Sequence, residues 1–162
     1  MIRTGITGID EMLGSGIPRG TRVVFSLEPG VEGRMFMMRT IASALSEKKN
    51  VCILSPHCTG RVFISECMEI LEIDILKLGG KAVILDSAVR ESINSREKKV
   101  TSRKLAWKKL IEETLEQHSI DVFFVYFDLL YEDLGLMKAL DLLPTAKERD
   151  RVTTIVEHLN LE

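Results

Sequence analysis

Several features are missing from this 162-residue chain, and each absence removes a class of explanation. No apolar run approaches the ~20 residues that span a bilayer, so a membrane helix is not expected. Met1 to Gly5 carries no apolar stretch of the kind that opens a secretory leader. Low-complexity tracts and internal repeats are absent, which excludes solenoid and linker architectures. Cysteines number only three, Cys52, Cys58 and Cys67. An odd count without a leader favours free thiols in a reducing compartment, so a cytoplasmic location is expected. Charge of one sign is also lacking. The net value of -2 makes the whole molecule no polyanion binder by charge alone.

What is present is ordinary for a single globular domain: 45% hydrophobic and 28% charged residues, with enough length for a core. Short apolar runs at 23–27, 51–55, 82–86, 121–127 and 152–156 read as strands. Segments 36–45, 61–73, 101–118 and 132 to about 143 have helical spacing, the last interrupted near Pro144. The strands are continuous apolar runs, and strands alternate with helices. Both features predict a parallel sheet covered on both faces. Ligands of such sheets sit beyond the carboxyl ends of the strands, so the loops after Leu27, Ser55, Asp86, Phe127 and Val156 are the segments of interest.

The opening, Thr4-Gly5-Ile6-Thr7-Gly8-Ile9-Asp10-Glu11-Met12-Leu13-Gly14-Ser15-Gly16-Ile17-Pro18-Arg19-Gly20, resembles the segment preceding the first core strand of KaiC-like and RadA-like P-loop ATPases, T-G-[IV]-x-G-[LI]-D-x-[ML]-L-G-G-G-[IL]-P-x-G. The likeness continues through Asn50 to Cys58, Gly80 to Asp86, Val125-Tyr126-Phe127-Asp128 and Val152 to Val156. It implies one RecA-like domain over 1–162, with a lead-in at 1–20 and a three-layer α/β/α core at 21–162. The implied strand order is 1-5-4-2-3, all parallel. The family's C-terminal extension has no counterpart before Glu162, so strand 1 is expected at an edge.

The chemistry of that family is not matched. A P-loop needs glycines whose N–H groups converge on phosphate, a lysine for the β- and γ-phosphates, and a hydroxyl for Mg²⁺. Where the family has G-E-P-G-T-G-K-T-T-F, this chain has Leu27-Glu28-Pro29-Gly30-Val31-Glu32-Gly33-Arg34-Met35-Phe36. The first glycine becomes Leu27, the second Glu32, the lysine Gly33 and the hydroxyl Arg34. A one-residue slide places Gly33-Arg34 at Gly-Lys but sets Glu28 and Met35 in the other two places. Lost charge-assisted bonds at ~1.5–3 kcal/mol each amount to ~4 kcal/mol, nearly a thousandfold in affinity. The family's paired glutamates fall on His57 and Cys58. Asp128 alone keeps a catalytic position, and an acid at a strand end also caps turns.

ATP hydrolysis is therefore expected to be absent, with no cofactor required. Any residual weak ATP/Mg²⁺ or anion binding would use Pro29, Gly30, Gly33, Arg34 and Asp128. His57, Cys58 and Cys67 fall short of the four ligands of a structural zinc site, so no metal is expected. Arg96, Lys98, Lys99, Arg103, Lys104, Lys108 and Lys109 form a basic stretch. It reads as a solvated face, with an anion, acidic-partner or nucleic-acid surface as the alternative. Met35, Met37 and Met38 read as core packing rather than a methionine-lined surface. The expected role is a non-catalytic interaction or regulatory module whose partner is a protein or a second copy. The alternatives are a degenerate ATPase and a nucleic-acid binder.

Overall fold

A computed structural model describes residues 1–28, 31–144 and 151–159. Its five strands are β1 (Arg22–Leu27), β2 (Val51–Leu54), β3 (Ala82–Leu85), β4 (Val122–Tyr126) and β5 (Thr153–Leu159). They form one parallel sheet in the order β1-β5-β4-β2-β3, the order the sequence resemblance implies. β2 and β4 are central. Val51 to Leu54 and Val122 to Val125 are buried at every position, because helices cover both faces.

Alternation sends successive residues of each strand to opposite faces. On one face, Val51, Ile53, Val122, Phe124 and Ile155 pack against Met37, Ile41 and Leu45 of α2 (Val31–Ser46) and Phe63 and Cys67 of α3 (Gly60–Leu71). On the other, Cys52, Leu54, Phe123, Val125 and Val156 meet Ile93 of α4 (Ser87–Arg96), Trp107 and Ile111 of α5 (Val100–Gln117), and Leu130 and Leu134 of α6 (Asp128–Leu134). Met37 and Met38 lie in the core, so they do not form a docking surface. Cys52 is likewise a core residue, and burial pushes its thiol up to about 12.

Three elements differ from the sequence reading. The helix expected over 132 to about 143 is two short ones, α6 and α7 (Leu136–Leu140). Gly135 between them sits at φ +80°, which no helix interior permits. The segment Ser87–Arg96, whose polar residues hide its periodicity, is α4. Arg90 fastens it to α6 through two bonds to Asp133 at 2.7 and 2.8 Å, which hold that carboxyl below the usual range. The lead-in forms a short helix, α1 (Thr7–Met12). Asp10 accepts from the Thr4 N–H at 2.7 Å, and Ile2 bridges to Ile17.

Candidate functional site

The carboxyl ends of β1, β4, β2 and β3 converge with the amino ends of α2 and α3. Of the residues singled out as anion contacts, Pro29 and Gly30 lie outside the described residues. Gly33 lies in the first turn of α2, where a Cβ would come 3.1 Å from the Glu28 carbonyl oxygen and 3.6 Å from Leu27 Cβ. That closeness is a packing reason for glycine. The Arg34 guanidinium stands 3.6 Å from Glu66 of α3, with both side chains in contact with solvent.

Asp128 opens α6. Its Oδ1 bonds His158 Nδ1 at 2.8 Å, and its Oδ2 accepts from the Leu159 N–H at 3.1 Å. Both carboxylate oxygens thus serve the end of β5. Glu157, directly before His158, pairs in register with Phe25 of β1 and Tyr126 of β4. It shares their face of the sheet and is only 7% exposed. Burial, reinforced by the Asp128 charge and only partly offset by Arg34, pushes its carboxyl up to about 7. The Tyr126 hydroxyl is shut off from solvent without a hydrogen-bond partner among the described residues, and burial holds its pKa well above the usual phenol.

Beyond β2, Ser55 Oγ lies 3.5 Å from His57 Nδ1 and 3.6 Å from Cys58 Sγ. The His57 ring meets Tyr126 edge-on at 5.3 Å. Burial lowers the imidazole's pKa and raises that of the Cys58 thiol. Near neutral pH this pair is therefore an uncharged imidazole and an uncharged thiol, not a thiolate–imidazolium nucleophile. Asp86 ties the last two loops together. Its Oδ2 accepts from the Gly60 N–H at 2.8 Å, and Oδ1 accepts from the N–H groups of Ala88 and Val89 at 3.1 and 3.3 Å. Asp86 thus caps α4 and also holds the amino end of α3, where Thr59 accepts from the Val62 N–H at 3.3 Å. Asp86→Ala should cost about 1–2 kcal/mol in denaturant unfolding, whereas a change below about 0.3 kcal/mol would show the caps to be replaced by water.

Among the described residues, no three His, Cys, Asp or Glu side chains come together as a metal-holding group. Cys67 is buried in α3, and burial pushes its thiol up to about 12.

The residues of the basic stretch hold different partners. Arg96 Nε donates to the Ser92 carbonyl at 3.3 Å, and Arg103 Nε to the Glu97 carbonyl at 2.8 Å. Lys104 pairs with Asp141 at 2.9 Å, and Lys108 acts on the same carboxylate. Lys109 and Arg96 line a groove of about 570 Å³ between α4 and α5, together with Glu97 and Glu113. Lys98 and Lys99 are exposed in the connection between the two helices.

The sequence reading missed Glu157 and His158, because it ended the fifth strand at Val156. Period-two alternation carried two residues further, from Ile155 to Glu157, was the available signal.

No protein-family profile and no curated protein matches the chain by sequence. Among solved structures, it is similar to a KaiC-like protein from the hyperthermophilic archaeon Pyrococcus horikoshii OT3, with a TM-score of 0.73, 19% identity, and coverage of 98% of this chain and 70% of that one. Together with the strand order β1-β5-β4-β2-β3, this likeness establishes a KaiC-like, RecA-type α/β fold.

Proposed function

We propose that this RecA-type domain is non-catalytic and serves as a protein-interaction or regulatory module. The observation that carries the reading is the state of the retained acid. Both Asp128 oxygens are taken by His158 and the Leu159 N–H, so the carboxylate that would otherwise orient a metal is committed to the strand beside it.

Its surroundings support the same reading. A bound Mg-nucleotide needs positive charge where its phosphates lie, and the residues present do not fit it. Gly33 stands in the lysine place, and Arg34 turns to Glu66. The buried Glu157 carboxyl, pushed up to about 7, becomes a second negative charge beside Asp128 as pH rises through that value, where polyphosphate would be repelled. His57 is uncharged and rests on Tyr126, with no held nucleotide to activate. The division of the basic residues among Asp141, backbone carbonyls and a groove shared with acids weighs against nucleic acid as the main partner.

Calorimetry with Mg-ATP tests this. The expected dissociation constant is in the millimolar range, and 1 mM Mg-ATP should add no more than about 0.4 kcal/mol to thermal stability. A dissociation constant below about 10 μM, roughly -7 kcal/mol, would establish the degenerate-ATPase alternative instead.

A further inference from the structure

The amino end of the sheet, far from Asp128, holds a cavity of about 370 Å³. Its acidic side is the end of α5 and the turn that follows. Glu112, Leu115, Glu116 and Ser119 lie at i, i+3, i+4 and i+7, so they share one face. Its basic side is Arg19, in the lead-in, and Arg151, just before β5. The strands these two arginines precede run side by side, with Arg22 in register with Thr154. The floor is apolar. Ile120 and Val152 are buried, and Leu115 packs against the same core. Asp121 also lines the cavity, and its Oδ2 accepts from the Asn50 N–H at 2.8 Å. Each side concentrates charge of one sign. Glu112 and Glu116 repel each other at i, i+4, and the carboxyl end of α5 adds about half a negative charge. Among the described residues, none of the four side chains Arg19, Arg151, Glu112 and Glu116 has an ion pair or hydrogen bond to offset this.

We infer that this cavity binds a zwitterionic peptide of about two residues, its ammonium group on Glu112 and Glu116, its carboxylate on Arg19 and Arg151, and an apolar side chain on the floor. Charge, length and polarity select this occupant. A simple anion meets the glutamates and the α5 dipole, and a simple cation meets the arginines, so only a ligand carrying both charges relieves both sides. A guanidinium takes a carboxylate through two parallel N–H donors, and an ammonium has three donors for the two acids. A compact cavity of this volume is about 7 Å across, the span of two extended residues at ~3.5 Å each. A free amino acid carries both charges on one carbon and is too short to serve both sides. Leu115, Ile120 and Val152 supply the apolar surface that small-molecule sites of ~300–1,000 Å³ commonly have. The cavity lies at the other end of the sheet from Asp128, so a ligand there goes beyond the non-catalytic reading and neither needs nor opposes it.

Calorimetry of the 162-residue chain with the dipeptide leucyl-leucine provides the test. A dissociation constant of about 0.1–1 mM is expected. Acetylating the amine or amidating the carboxyl should each weaken binding at least about tenfold, as should replacing the dipeptide by free leucine. Glu116→Gln should shrink the effect of acetylation to less than about threefold, and Arg151→Gln should do the same for amidation. Both side chains are exposed, so the circular dichroism spectrum should not change. Should either variant lose its fold, Glu112→Gln and Arg19→Gln repeat the comparison from the neighbouring positions. Amide NMR signals of Ser119, Ile120 and Val152 should move on titration of the wild type, while that of Asp128 should not. No binding at about 10 mM, an affinity indifferent to either blocking group, free leucine equal to the dipeptide, or signals that move only away from this cavity would overturn the inference.

Discussion

Glu157→Gln should stabilise the protein by about 2 kcal/mol at pH 8 and hardly at all at pH 4. The carboxyl is pushed up to about 7 in the folded state by burial and by Asp128, against an ordinary value of 4.5. Between those values the native state holds more protons than the unfolded chain. The stability contributed by the protonated acid is therefore complete below pH 4.5, and it is lost as pH rises through about 7. A shift of this size corresponds to about 3 kcal/mol at most, and we take about 2 because the site borders solvent. Glutamine keeps the shape and never ionises, so the difference between variant and wild type isolates this one group. Urea unfolding of both proteins from pH 4 to pH 8 provides the measurement. A difference that does not grow with pH would mean that the carboxylate finds compensation in the folded protein, and it would remove one support for repulsion of phosphate.

Trp107→Ala should have the largest effect on the fold, a loss of about 3–5 kcal/mol. The side chain is fully buried in α5, in the core cluster that also holds Ile93, Phe123 and Leu130. Truncation leaves a cavity that the surrounding strands and helices cannot collapse to fill. Trp107→Phe should cost much less. The indole N–H has no partner among the described residues, so removing it relieves an unsatisfied donor while most of the apolar area remains. Circular dichroism against urea compares the two, since this is the protein's single tryptophan and its fluorescence is lost in both variants. An alanine variant within about 1 kcal/mol of wild type would show that the α5 layer repacks freely.

Local chemistry made much of this protein readable from the chain. Apolar runs with no polar alternation, such as 121–127, mean burial on both faces, and burial on both faces means a parallel sheet between helices. The spacing of Met37 with Ile41 and of Trp107 with Ile111 identified the buried sides of α2 and α5, because helix periodicity is a property of neighbours in sequence. The strand order came from the resemblance of residues 4–20 and of the later strands to KaiC-like ATPases. That the resemblance sets glycine and arginine, Gly33 and Arg34, where a lysine and a hydroxyl are expected was legible for the same reason: it is a matter of residue type at a position.

Other features belong to the tertiary structure alone. The sequence ended the fifth strand at Val156, since Glu157 and His158 are polar and a polar pair usually marks a strand's end. The sheet extends it to Leu159, because the register with β1 continues through Leu27. That extension brings Glu157 between Phe25 and Tyr126, and His158 onto Asp128, across some 30 residues of chain. The same holds for Arg34 with Glu66 and for Asp86 with Gly60. No periodicity reports such pairs. Their energies depend on the dielectric and on distances that exist only once the strands are side by side, and there a glutamate unremarkable in the sequence acquires a carboxyl pushed up to about 7.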